Sequence, residues 1–200
     1  MQTEYNKIFP ATLIMETNRV QLRLLQAPDF EALRKIAAPK EIWAYFTKDL
    51  SKDEELQLWI EEALQERQQE KRMPFVIINK ETNEICGSTS FGNISFYDKR
   101  IEIGWTWLGT ASMGTGINHH AKFVLLSYAF NIFKAERVEI KTDNLNVRAK
   151  KALVHIGCTE EGVFRSHMLM QDNRRRDSVY YSIIKNEWQD VQMLYFGDLA

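Results

Sequence analysis

Cysteine is scarce: the chain holds two in 200 residues, Cys86 and Cys158, with no Cys-x-x-Cys spacing. That excludes a disulfide scaffold and fits two small core residues in a reducing compartment. Neither thiol has the local His or Asn pattern of a nucleophile. Excess charge is missing too. Lys and Arg total 26 against 27 Asp and Glu, a formal net charge of −1, so whole-molecule attraction to nucleic acid or anionic lipid is not expected and any basic site must be local. The first residues, "MQTEYNKIFPATLIMETNRV", lack a basic stretch followed by a long apolar run, and no later segment is apolar and uncharged for long enough to cross a bilayer. A cytoplasmic chain is the expectation. Linkers, low-complexity tracts and internal repeats are also lacking.

What is present is the profile of one ordinary domain, 44% hydrophobic and 26% charged, with enough chain to bury a core. The patterning puts that core at about residues 13–188 and a C-terminal tail at 189–200. Leu13 to Leu25 reads as two short strands around Asn18 and Arg19, and Pro28 and Asp29 open a helix through Ala37. Ser51 to Gln69 predicts a long helix with Leu56, Trp59, Ile60, Ala63 and Leu64 on one stripe. Three strands follow as an antiparallel meander, Met73 to Asn79, Glu84 to Ser95 and Arg100 to Leu108, joined by turns rich in Asn, Asp, Gly and Lys. A helix from about Ile117 to Phe133, a strand from Arg137 to Asp143, a helix from Asn146 to Ile156 closed by Gly157, and strands around Gly162 to Met170 and Asp177 to Ile184 complete an α+β order.

The stretch "SMGTGINHHAKFVLLSYAF", Ser112 to Phe130, runs from a glycine-rich turn into a helix with no charged residue before Lys122. Free N–H groups and the helix dipole favour an anion there, and Gly114 and Gly116 let it approach the main chain. A P-loop would need Gly-Lys-Ser/Thr where Ile117, Asn118 and His119 stand. A dinucleotide fingerprint finds two of its three glycines in "GTGINH" and an acidic residue downstream at Glu136 or Glu139, but His119 holds the third glycine position and the preceding strands look antiparallel. A turn that merely starts a buried helix is the plain alternative.

Several stretches point the same way at once. They are "NRVQLRLLQAPDFEALRKI", "EICGSTSF", "IEIGWTW", "MGTGINHHAK", "TDNLNVRAKKALVHIGCTEEGVFRSHM" and "RRRDSVYYSIIKNEW". Together they resemble the GNAT acetyltransferases, in the ribosomal-protein N-acetyltransferase-like (RimJ/RimL-type) branch. The resemblance implies the GNAT (acyl-CoA N-acyltransferase) fold: a mixed, mostly antiparallel sheet with helices on both faces, splayed between the family's strands 4 and 5. It implies acetyl-CoA as cosubstrate, entering that gap. The main chain at Trp107 and Leu108 would pair with pantetheine, the turn Met113, Gly114, Thr115, Gly116, Ile117 and Asn118 would carry the pyrophosphate, and Asn146 would add a contact. The chain departs from the family at three points. Met113 stands where an Arg or Gln is usual, Ala149 replaces a usual Ser, and Leu153 replaces the usual Tyr that protonates the departing thiolate.

Acetyl transfer to an amine also asks for a base. In "RIEIGWTW" Glu102 alternates with Ile101 and Ile103 and so faces away from them, toward a strand face where an acceptor amine would lie. Its plain alternative is a solvated carboxylate, as that of Asn146 is a helix N-cap. Trp105 and Trp107 read as core or pocket aromatics. Arg165 and His167 would steer a carboxylate-bearing acceptor. His119 and His120, adjacent on a helix, cannot chelate one metal from one face, so no metal is expected. "NRRRD", Asn173 to Asp177, reads as a solvated turn. The expected activity is N-acetyl transfer to a primary amine, an α-amino group of a protein, peptide or small metabolite. The alternative is a catalytically weak or inactive acyl-CoA-binding sensor or scaffold. Expected partners are an amine-bearing small molecule, peptide or protein N-terminus, without nucleic acid or membrane and with room for a homodimer.

Overall fold

The structure is a computed structural model that describes residues 4–199. Its elements in chain order are α1 (Glu4–Ile8), β1 (Ile14–Glu16), β2 (Val20–Leu24), α2 (Phe30–Ala37), α3 (Asp53–Gln68), β3 (Arg72–Asn79), β4 (Glu84–Ser95), β5 (Arg100–Leu108), α4 (Ile117–Asn131), β6 (Arg137–Asp143), α5 (Val147–His155), β7 (Thr159–Leu169), β8 (Arg175–Ile184) and α6 (Lys185–Phe196). The strands form one sheet in the order β1-β2-β3-β4-β5-β6-β8-β7. Every neighbouring pair is antiparallel except β5 and β6, which run parallel. The expected α+β fold with a mixed, mostly antiparallel sheet is what forms.

Strand alternation sends successive side chains to opposite faces, and each face meets its own helices. On one face Leu22, Phe75, Phe91, Ile101, Ile103, Val138 and Tyr181 pack with Leu125 and Ala129 of α4, Leu153 of α5, and Trp188 and Phe196 of α6. On the other, Val76 and Trp107 pack with Leu33 and Ala37 of α2 and Leu56, Trp59 and Ile60 of α3. The helices α2 and α3 lie over β3 and β4.

Two ends of the chain exceed the expected core. Residues 189–200, read from sequence as a tail, are helical as far as Phe196, and Val191 and Phe196 are buried. Helix α1 brings Tyr5 and Phe9 into the same cluster. "NRRRD" is also less solvated than its charge suggests: Arg174 forms a 2.6 Å ion pair with buried Asp143, and Arg176 lies within β8, 8% exposed.

Two bulges shape the sheet where the site forms. Asn93 in β4 and Trp105 in β5 take positive φ, 47° and 51°, and the β4–β5 register shifts beside each. The extra residue at Trp105 changes the phase of the strand. Glu102 and Trp105, three apart, therefore point to the α2–α3 face, while Ile103 and Thr106 point toward α4. Strand β6 pairs with β5 over Arg100–Glu102 against Arg137–Glu139 and no further, yet pairs with β8 along its whole length. Past Glu102 the sheet splits, leaving the last six residues of β5 without a partner on that side. That is the splay that the family resemblance implies.

Candidate active site

The split has a floor, a mouth and two walls. At its mouth, β5 leaves through Gly109 and a single 3₁₀ turn, Thr110–Ser112, into Met113 and then α4. Gly114 and Gly116 take φ of +76° and +89°, and Gly116 is the N-cap residue of α4 without any side-chain cap. Only glycine enters that region at little cost. The first-turn N–H groups of α4 therefore face outward with the positive end of the helix dipole behind them.

The turn itself carries no basic residue, but the fold brings two from elsewhere. Arg148 on α5 sets its Nη1 2.9 Å from the sulfur of Met113. Arg19, in the β1–β2 turn, places its Nη1 3.1 Å from where a Cβ on Gly116 would stand. Both arginines are exposed. Across the mouth, Asn146 caps α5, its side-chain oxygen accepting from the Ala149 N–H at 3.0 Å, as expected of an N-cap.

On the α2–α3 side of the split, beyond the reach of those helices, lies a cavity of about 360 Å³ lined by Asn93, Arg100, Glu102, Arg137, Glu139, Glu161, Gly162, Phe164 and Tyr180. Glu102 is 4% exposed. Both its oxygens accept from Lys141 Nζ, at 2.7 and 2.6 Å, and one accepts also from Asn93 Nδ2 at 2.6 Å. Lys141 is at once 5.8 Å from the centre of the Tyr180 ring. The bulge at Asn93 is thus what aims its amide at Glu102. The rim is a chain of ion pairs in which Arg137 joins Glu139 and Glu161, and Glu139 joins Arg100.

His167 stands beside this cavity, edge-on to Phe164 and Tyr180, with Nδ1 3.0 Å from Ser178 Oγ. Partial burial and the charges of Lys141 and Arg176 hold its imidazole below the usual range, so the neutral ring dominates at pH 7. Arg165 is exposed and forms no ion pair among the described residues. Of the expected acceptor-side residues, His167 therefore joins the cluster around Glu102 and Arg165 stays outside it. His119 and His120 diverge: His119 stacks on Phe196 at 4.6 Å, and His120 Nδ1 meets Thr17 Oγ1 at 2.9 Å. No group of three or more potential metal ligands occurs among the described residues.

One residue of the split drew no role from the sequence. Lys122, in the second turn of α4, is 4% exposed, and its Nζ donates to Thr106 Oγ1 at 2.9 Å. Thr106 also shares a hydrogen bond with Thr89, 2.8 Å away. Burial pushes the Lys122 ammonium from 10.5 down to about 8. The available signal is its place as the one Lys, Arg, Asp or Glu on the helix. Cys158 is buried close to it, and burial pushes that thiol up to about 12. Both cysteines are free and buried, as core residues should be.

This arrangement, a split sheet with a glycine turn and a helix N-terminus at its mouth and titratable groups inside, has counterparts. A family model described as an acetyltransferase (GNAT) domain matches residues 19–159. The uncharacterized N-acetyltransferase p20 of Bacillus licheniformis is 28% identical over 176 residues, 86% of this chain and 96% of that protein. Among solved structures, a GCN5-related N-acetyltransferase from Brucella melitensis superposes with a TM-score of 0.86 at 23% identity, covering 96% of this chain and 87% of the other. Mycobacterium smegmatis RimJ in complex with CoA-disulfide gives 0.74 at 22% identity, covering 87% and 88%. The two structures establish the shared fold, and the family match extends over the turn, the split and both walls. On that ground the chain belongs to the GNAT acetyltransferase family and is an acyltransferase.

Proposed function

We propose that the protein transfers an acetyl group from acetyl-CoA directly to an α-amino group of a protein, peptide or small metabolite, without a covalent enzyme intermediate. The observation that carries this reading is the parting of β5 from β6 beside the unobstructed N-terminus of α4. The CoA diphosphate rests on Met113, Gly114, Thr115, Gly116, Ile117 and Asn118, held by main-chain N–H groups, with Arg19 and Arg148 supplying the charge Met113 lacks. Pantetheine pairs with the free edge of β5 at Trp107 and Leu108 as an added strand would, and a main-chain N–H there polarises the thioester carbonyl. Asn146 closes over the cofactor from α5.

The acceptor enters from the cavity on the opposite face. Glu102 takes its proton, directly or through a water, once Lys141 yields one carboxylate oxygen. His167 contacts the rest of the acceptor beside the cavity, and Arg165, exposed outside it, meets only a part of the acceptor that reaches solvent. An α-amine suits such a site: its pKa is about 7.7–8.0 against about 10.4 for lysine, so far more of it is neutral at pH 7.

Incubation with acetyl-CoA and paired peptides, one with a free N-terminus and one N-terminally blocked with an internal lysine, followed by free thiol, tests the reading. Faster release with the free N-terminus is expected. Faster acetylation of the blocked peptides would refute the α-amine assignment. Tight CoA binding with no thiol release from any amine would instead support an acyl-CoA sensor, the reading favoured by Leu153, which is buried in the core and offers no proton.

A further inference from the structure

Thioester cleavage leaves a thiolate, and the two α5 positions where the family resemblance would put a Ser and a Tyr offer it no proton, since Leu153 is hydrocarbon and Ala149 is a methyl group. The α4 wall differs. Lys122 lies within the core cluster that α4 shares with β5 and β6, yet it joins no ion pair, and the Thr106 hydroxyl is its one hydrogen-bond acceptor among the described residues. An ammonium carries three donors, so two remain unspent. A buried charge without a carboxylate is an unfavourable thing to build into a core, and a Met or Leu would fit the same space. Thr106, its anchor, sits one residue past the Trp105 bulge, on the β5 segment that has lost its β6 partner. The ammonium is therefore held beneath the segment of β5 that borders the split, on the face opposite Glu102.

We infer that Lys122 is the proton donor to the departing CoA sulfur, acting from the α4 side while the acceptor is deprotonated from the Glu102 side. This rests on the placement of CoA proposed above. The acceptor nitrogen uses its lone pair to form the N–C bond. The C–S bond breaks with its electron pair on sulfur, and an Nζ–H proton passes to that sulfur to give the free thiol. The proton shed by the new amide nitrogen leaves through Glu102, and the neutral Lys122 amine regains a proton from water. The acidities are well matched for this transfer, because an ammonium near 8 faces a thiol whose ordinary value is about 8.5, close to the operating pH. The titratable neighbour on the far side is the Cys158 thiol, neutral at any working pH, with Glu187 of α6 acting on that thiol and the thiol acting in turn on Tyr181 of β8.

The test compares wild type, Lys122→Met and Lys122→Arg, each first shown to melt cooperatively and to bind CoA by calorimetry. Thiolate ultraviolet absorbance of bound CoA then gives the acidity of its thiol, independently of turnover. The bound thiol should be about tenfold or more acidic in wild type than in Lys122→Met, while kcat falls about 10²-fold in the variant with CoA affinity nearly unchanged. Lys122→Arg should keep the thiol acidic but stay slow, because a guanidinium holds its proton. Equal thiol acidity and equal kcat in wild type and Lys122→Met would overturn the assignment. Absence of CoA binding by wild type itself would overturn the proposed cofactor site, and this inference with it.

Discussion

Replacing Lys122 by Met is expected to make the protein more stable and slower at once. Its proton affinity falls from 10.5 to about 8 on folding, chiefly through burial. At about 1.4 kcal/mol per tenfold change, that difference opposes folding by about 3 kcal/mol while the side chain is charged in both states. Loss of the Thr106 hydrogen bond offsets about 1 kcal/mol of the gain, and Thr106 keeps its bond to Thr89. The net is about 2 kcal/mol, or a rise of roughly 4–8 °C in melting temperature for a chain of this size. The sign with pH follows from a lysine whose folded value is depressed. Below about pH 8 both states hold the proton and the penalty is complete; between there and about 10.5 only the unfolded chain holds it, so wild-type stability rises and the penalty fades. Urea unfolding of both proteins at pH 7 and near 10.5 measures this, since the titratable groups away from Lys122 and its neighbour Cys158 are common to the pair. The advantage of Lys122→Met should be largest at pH 7 and vanish near 10.5. A variant less stable than wild type at pH 7, or an advantage that does not change with pH, would refute the reasoning.

Three further outcomes follow from the site. Gly116→Val puts a β-branched residue at φ +89°, straining the turn by about 1–3 kcal/mol and filling the approach to the diphosphate, so CoA affinity should drop about tenfold or more by calorimetry; unchanged affinity would displace CoA from the turn. Glu102→Gln keeps the shape and removes the basicity, and the rate should fall about 10²-fold, whereas a near-full rate from about pH 6 to about pH 9 would remove Glu102 from catalysis. Arg148→Ala strips the guanidinium from Met113 and should weaken CoA binding by roughly threefold to tenfold, more at low salt than high because the side chain is exposed. An unchanged affinity there would leave the main chain alone to hold the diphosphate.

Local pattern made most of the elements legible. The meander Met73 to Leu108, the helix from Ile117 and its glycine turn, and the N-cap at Asn146 all stand within a residue or two of where alternation, helical spacing and capping chemistry put them. These are short-range properties, set by which side chains share a face and which backbone angles glycine permits. The face of Glu102 was equally readable from its flanking isoleucines. Helix α6 was harder, because its polar residues resemble a solvated tail and its buried Trp188, Val191 and Phe196 acquire meaning only against α4 and the sheet.

The site's chemistry, by contrast, is made of long-range encounters. Lys141 comes 39 residues after the carboxylate it grips, Arg148 comes 35 after the methionine it covers, and Lys122 comes 16 after Thr106. The sequence by itself determined that a glycine turn leads from a strand into a helix N-terminus and that Glu102 lies on the face of β5 opposite Ile101 and Ile103. Only the tertiary structure decided that Glu102 is held in an ion pair, that two distant arginines flank a turn lacking its own, and that a lysine ammonium is buried beneath the split. Spacing along the chain carries no information about which charges a packed sheet brings within 3 Å, because the bulges and the parting of β5 from β6 set those distances.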